Sequence, residues 1–312
     1  MLDNLVHLAY MPGETKFHEE SYVPEIIEEC RAIVETLIMD KDRSPFLNLI
    51  RTPQVDQSLR VNVLQQSGKA IQSLLCMRSN IEARILVSKC FQNTPQLYQQ
   101  WTRNFSMCDM AANYACISSL SLISYLIENA PDVDEILAAS TDMGKMFESM
   151  ISFTSPRCFT KNAITKGLQS SNALLVMQTL KVCGLILDRF SKLSAIVCEN
   201  KRDRSRYFSE KLAGRMPDVQ VLLAIRSKFG SNEESCSCKS HLNFIMKGIC
   251  DTLDLYVDIF PQSFITLQFE RIKLLFDGSS TNFLKAPFNL QRRLLKTLFY
   301  IFECYKVRER CN

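Results

Sequence analysis

The stretch Phe244-Ile-Met-Lys-Gly-Ile-Cys-Asp-Thr-Leu-Asp-Leu-Tyr-Val-Asp-Ile-Phe260 decides the fold class. Its charged residues, Lys247, Asp251, Asp254 and Asp258, stand four, three and four positions apart, which lines them up along one side of an α-helix. Almost everything else in it is apolar: Ile245, Met246, Ile249, Leu253, Leu255, Tyr256, Val257, Ile259 and Phe260. A helix on the surface of a domain normally shows water a broad polar face. A stripe this thin predicts a helix covered by neighbours on both flanks and behind.

The pattern recurs. From Asn172 to Val197, Gln178, Lys181, Asp188 and Lys192 form a thin polar line on an apolar segment. Between Asp109 and Asn129 the line runs through Asn113, Ser121, Ser124 and Glu128, with Ile117 interrupting it. Each of these helices is about 20 residues and so roughly 30 Å long. Shorter amphipathic helices are expected at 132–140, 143–152, 217–229 and 263–276, and one further helix starts at Pro24 and runs through Leu37. Pro95, Pro131, Pro217 and Pro261 punctuate the joins, 36, 86 and 44 residues apart, the middle gap being near twice the others. A period of about 40 built from one long and one shorter helix is that of HEAT and armadillo repeats. The expected fold is therefore all-α, an α-solenoid of helical pairs, with an irregular helical bundle as the alternative. The expected division is an N-terminal helical extension at 1–45, a first repeat block at 46–198, a basic linker at 199–214 and a second block at 215–312.

Composition agrees with this reading. Of 312 residues 46% are hydrophobic and 22% charged, which excludes wholesale disorder. Nine glycines and ten prolines are too few for the frequent turns of an all-β chain. The thirteen cysteines are odd in number, and Cys76, Cys116, Cys183, Cys198, Cys250 and Cys304 sit in apolar runs. That predicts buried thiols in a reducing compartment rather than a disulfide framework. The N-terminal residues lack the basic and apolar regions of a signal peptide. The best membrane-spanning candidate, 110–127, carries an asparagine and four serines and reads as a core helix. An intracellular, soluble protein without a membrane partner is expected.

Chemistry is sparse. The three histidines, His7, His18 and His241, are far apart, and no glycine-rich phosphate loop occurs. No catalytic residue, metal or cofactor is expected. Cys236, Cys238 and His241 fall within six residues but lack the second ligand pair of a zinc site, and read as a solvated loop. Asp251, Asp254 and Asp258 have no acidic helix to face them across a magnesium ion, and read as the solvated outer side of a buried helix. Basic clusters are the better candidates. Net charge is +4; Lys201, Arg202, Arg204 and Arg206 lie in the expected linker, Arg292, Arg293 and Lys296 open the last helix, and Lys306, Arg308 and Arg310 close the chain. Clusters gathered on one face would hold structured RNA by its phosphates. The alternatives are plain solvation and, for Lys306 to Arg310, a favourable place at a helix C-terminus.

A set of segments in order resembles one family. These are Trp101-Thr-Arg-Asn104, Leu126-Ile-Glu-Asn-Ala-Pro131, Ser155-Pro-Arg-Cys-Phe-Thr-Lys161, Ala173-Leu174-Leu175, Leu187-Asp-Arg-Phe-Ser-Lys192 and Met216-Pro217-Asp218, followed by an apolar helix ending at Pro261 and a last helix from Leu290. Between Arg51 and Lys306 their order and spacing resemble the N-terminal helical region of the nucleolar pre-ribosomal-associated protein 1 family. The resemblance implies a large non-enzymatic α-solenoid scaffold of early large (60S) subunit biogenesis, located in the nucleolus and contacting pre-rRNA. It implies as partners a second nucleolar pre-ribosomal-associated protein, a DEAD-box helicase and other large-subunit assembly factors. Members are much longer than this chain, which on that reading is a fragment or a short form. Trp101, Asn104, Pro131, Pro217 and Asp218 would be its structural motif residues, and no catalytic residue is implied. A HEAT-like protein-interaction adaptor that never touches RNA is the alternative function.

Overall fold

A computed structural model describes residues 9–10, 23–39, 44, 56, 58–59, 62, 65, 68–69, 71–72, 74, 80–105, 110–132, 143–198, 202–230, 239–265, 267, 272 and 286–311. Among them every regular element is an α-helix and no strand occurs, so the all-α expectation holds. The chain divides into two compact units, Met1–Phe105 with Tyr125–Glu135, and Ser106–Ser124 with Ile136–Asn312. This line differs from the boundaries expected at 45, 198 and 214. Unit membership follows tertiary packing, which composition shifts along the chain do not report.

In the first unit, α1 (Val23–Met39) packs on α2 (Ile81–Asn93), and α2 on α3 (Pro95–Asn104). Arg31 of α1 donates through Nε to the Ala9 carbonyl at 3.0 Å and pairs with Glu82 at 2.9 Å. Asn80 caps α2: its Oδ1 accepts from the Ala83 amide at 3.1 Å, satisfying one of the free N–H groups of the first turn. Its Nδ2 donates to the Tyr10 carbonyl at 3.1 Å. Pro95 then opens α3, where a missing N–H costs nothing. The core here is aromatic: Trp101 lies 5.6, 5.5 and 5.4 Å from the rings of Phe91, Tyr98 and Phe105.

Helix α4 (Tyr114–Glu128) begins in one unit and ends in the other. Asn113 caps it through Oδ1, which accepts from the Cys116 amide at 2.8 Å. Of the polar line expected here, Asn113 and Glu128 are exposed, Ser121 is half-buried and Ser124 is buried. Ser119 and Ser124 are fully buried, and their hydroxyls donate to the carbonyls of Ala115 and Leu120 four residues back. A helix carbonyl can take this second bond, which lets serine sit inside a core.

The second unit contains α5 (Met143–Thr154), α6 (Lys161–Leu168), α7 (Ala173–Cys198), α8 (Arg202–Ala213), α9 (Val219–Gly230), α10 (Lys239–Ile259), α11 (Pro261–Ile265) and α12 (Phe288–Cys311). Its frame is three long helices. A Cβ built on Gly248 of α10 would meet Leu180 of α7 at 3.4 Å, and one built on Gly184 of α7 would stand 4.0 Å from Thr252. The pairs 180/248 and 184/252 advance together, so α7 and α10 run in the same direction. Asp251 and Asp254 of α10 meet Arg293 and Thr297 of α12 at 2.7 Å each, which gives α12 that direction too. The short helices α6 and α9 lie against α7 and α10 respectively, and against each other. The line expected to face water on α10 is thus partly interior: Asp254 is buried beneath α12, because the neighbour facing it is basic.

Contact between α6 and α7 is tight. A Cβ on Gly167 would come 2.5 Å from Thr179 Oγ1 and 3.0 Å from its Cγ2, while that hydroxyl donates to the Leu175 carbonyl at 2.7 Å. Alanine normally improves a helix by about 1 kcal/mol over glycine. Here Gly167→Ala is expected to destabilise by about 1–3 kcal/mol, the cost of overpacking a filled site. Pairing it with Thr179→Ala should relieve most of that loss in urea unfolding; equal losses with and without the second change would remove the clash as the cause.

The expected basic linker is a correction. From Arg202 to Ala213 the chain is helical, and Phe208 and Leu212 are buried. Arginines at a helix N-terminus oppose the macrodipole, so the charged run reads locally as a break. Burial of the aromatic pair that follows outweighs it: Phe208 stacks on Phe147 at 5.9 Å, and Tyr207 meets the same ring edge-on at 6.2 Å. The helix expected at 132–140, most of that expected at 263–276, and most of the loops at 230–240 and 278–287 lie outside the described residues.

Candidate functional site

Lys201 lies outside the described residues. Arg202, Arg204 and Arg206 belong to the backbone of α8, where Arg202 and Arg206 are one turn apart and Arg204 shares the register of buried Phe208. Along the backbone of α8 the three arginines therefore do not share one register.

The second cluster is divided as well. Arg292 and Lys296 are exposed, and Lys296 Nζ sits 5.2 Å from the Tyr300 ring centre. Arg293 is turned inward, its guanidinium 2.7 Å from Asp251 and 3.1 Å from Asp254. A guanidinium paired with two carboxylates has its charge largely compensated, which weakens the case for Arg293 as a phosphate contact. Thr297 Oγ1 donates to Asp254 at 2.7 Å and completes the network. The acidic line of α10 is thus the counter-charge of α12.

Asp258 stands at the end of this line. Burial, and then the neighbouring Asp254, push its carboxyl above the ordinary carboxylate value, against the pull of Lys296. A carboxyl raised in the folded state favours folding when protonated, and that contribution is lost as pH rises through the raised value. Asp258→Asn is therefore expected to raise the melting temperature at pH 7 and to leave it unchanged at pH 3. A loss at pH 7 would mean that the attraction to Lys296 outweighs burial.

The residues named from the resemblance differ in their settings. Trp101 is buried in the aromatic cluster and Asn104 is exposed on the same helix. Pro131 is buried just past the end of α4. The carbonyl of buried Pro217 accepts from Tyr256 Oη at 2.7 Å, and Asp218 pairs with Lys161 at 2.8 Å, tying α9 to α10 and to α6. Burial holds the Tyr256 phenol well above its ordinary pKa. It likewise raises the thiols of Cys90 and Cys183, and that of Cys250 to about 12. Such thiols are inert hydrophobes rather than nucleophiles. Cys236 and Cys238 lie outside the described residues, while His241 opens α10; among the described residues no three side chains are grouped to hold a metal ion. No helix among them is long and apolar enough to cross a membrane.

Two concavities accompany these groups. One, of about 580 Å³, opens between the starts of α10 and α12 beside Phe244, Lys247, Leu290 and Arg293. The other, of about 360 Å³, belongs to the first unit and is bordered by Trp101, Leu97 and the carboxamides of Gln65, Gln72, Gln100 and Asn104.

No known protein family, curated protein or solved structure matches the chain. Its chemistry is read from its own residues. One feature escaped sequence reasoning altogether: the outer side of α12 exposes Phe288, Leu295, Phe299 and Phe302 at 75%, 55%, 58% and 39%. They lie opposite buried Leu290, Leu294, Thr297 and Ile301. The available signal was that apolar residues occupy both sides of this helix.

Proposed function

We propose that the chain is a non-enzymatic scaffold of early large-subunit ribosome assembly, an α-solenoid segment that binds pre-rRNA and assembly factors in the nucleolus. The ordered family resemblance between Arg51 and Lys306 suggests it. The observation that carries the architecture is the side-by-side alignment of α7, α10 and α12 in one direction, with α6 and α9 lying on α7 and α10. Equivalent helices of successive repeats in a solenoid run parallel in this way, each repeat contacting its neighbours. The mechanism would be geometric, a stiff stack holding RNA segments while a helicase remodels them.

Crosslinking the chain to RNA in cells and sequencing the attached fragments tests this reading: enrichment of pre-rRNA is expected, and its absence leaves the adaptor function. Neutralising Lys201, Arg202, Arg204 and Arg206 should weaken RNA binding and flatten its salt dependence by about one unit per lost phosphate contact. An unchanged slope removes that cluster. The adaptor reading, without RNA, is favoured by the exposed apolar side of α12, since contiguous apolar surface commonly marks protein contact.

A further inference from the structure

The outer side of α12 carries a finer pattern than exposed apolar surface alone. Phe288, Arg292, Leu295, Phe299 and Phe302 stand four, three, four and three residues apart, and all five are exposed. Steps of four and three give a mean period of about 3.5 residues, the spacing that keeps one straight seam along a helix and lets a second helix pack beside it. The other side of α12 is already taken, since Arg293 and Thr297 face α10. At about 100° per residue the seam falls roughly opposite Thr297. It therefore lies where the row of parallel helices α7, α10 and α12 would receive its next member.

Extent and charge say what fits there. Counting about 200 Å² for a whole phenylalanine side chain, the three rings and Leu295 present on the order of 400 Å² at their observed exposures. A stable protein–protein interface buries about 800 Å² on each partner. The seam is thus short for a second globular copy, whereas a single helix laid along it covers it. Arg292 lies within the seam and forms no ion pair among the described residues. Lys296 stands one turn on, with Tyr300 beneath its ammonium group and Asp258 of α10 within its field, while Glu303 is half-buried. A second copy would add cations to cations. RNA phosphates would meet both bases, but an aliphatic Leu295 at the middle of the seam gives a nucleobase no ring to stack on. Carboxylates beside an apolar stripe answer both features.

We propose that the outer side of α12 docks one amphipathic helix of a partner protein, its apolar stripe on the seam and its aspartates or glutamates opposite Arg292 and Lys296. This rests on the part of the scaffold reading that gives the chain protein partners, and is independent of the RNA part.

Installing p-benzoylphenylalanine at Phe299 of the full chain replaces ring with ring and lets light attach whatever covers the seam in cells; the attached peptide is then sequenced. The expected product is a segment of another protein with apolar residues three and four apart and carboxylates alongside. Arg292→Glu should cut the labelling about tenfold by setting like charges face to face, Arg292→Lys should retain it, and Leu295→Asp should abolish it. Urea midpoints should stay unchanged, because both positions are exposed. Label on a second copy, on this chain's own residues, on a basic segment, on lipid or on RNA would overturn the proposal, and so would no label at all. Equal labelling of Arg292→Glu and Arg292→Lys would overturn the acidic partner. RNA crosslinking of the same cells separates the two readings. Recovered pre-rRNA without a labelled peptide sinks the docking face and spares RNA binding, whereas a labelled acidic helix without pre-rRNA does the reverse.

Discussion

Replacing Arg293 with methionine is expected to destabilise the second unit by about 3 kcal/mol, the low end of the cost of breaking a buried ion pair. The low end applies because Arg293 keeps 34% of its side chain exposed, whereas Asp254 keeps only 12%. Methionine preserves the apolar stem and removes the charge. Asp254 would then hold a buried negative charge with Thr297 as its remaining donor and Asp251 one turn away. The penalty comes from the stranded carboxylate rather than from the worth of the pair. Asp254→Asn should therefore recover much of it in the double variant, and this non-additivity distinguishes the account from loss of packing. A single variant within about 0.5 kcal/mol of the unchanged protein in urea unfolding, the range of ordinary surface substitutions, would return Arg293 to the list of free cations.

The second large effect is expected at Phe208. Its ring is fully buried and stacks on Phe147 with planes 16° apart. Phe208→Ala should cost about 3–5 kcal/mol, through lost transfer energy and the cavity left behind. Were residues 199–214 a solvated linker, the same change would be nearly silent. The pairing matters for function, because the arginines offered as phosphate contacts belong to a helix that Phe208 and Leu212 anchor in the core.

Much of the fold was legible because helical periodicity is a local property. The thin polar lines at 172–197 and 244–260 predicted helices covered on most sides, and the prolines at 95, 131, 217 and 261 each fall at a helix boundary or in the turn next to one. Buried cysteines followed from their apolar neighbours at Cys116, Cys183 and Cys250, while Cys304 is half-buried. The candidate site was far less legible. Arg293 and Arg292 are adjacent and chemically identical in sequence, yet a rotation of about 100° along the helix sends one toward two aspartates and leaves the other in water.

The sequence by itself settled which segments become helices and which side of most of them is greasy, since spacing of three and four along one chain is enough for that. Only tertiary structure decided which charges are spent on each other, that a basic run folds into α8, and that an amide-lined hollow opens beside the single tryptophan. Those outcomes depend on what a distant helix places opposite, and one chain's local pattern holds no record of its neighbour across the core.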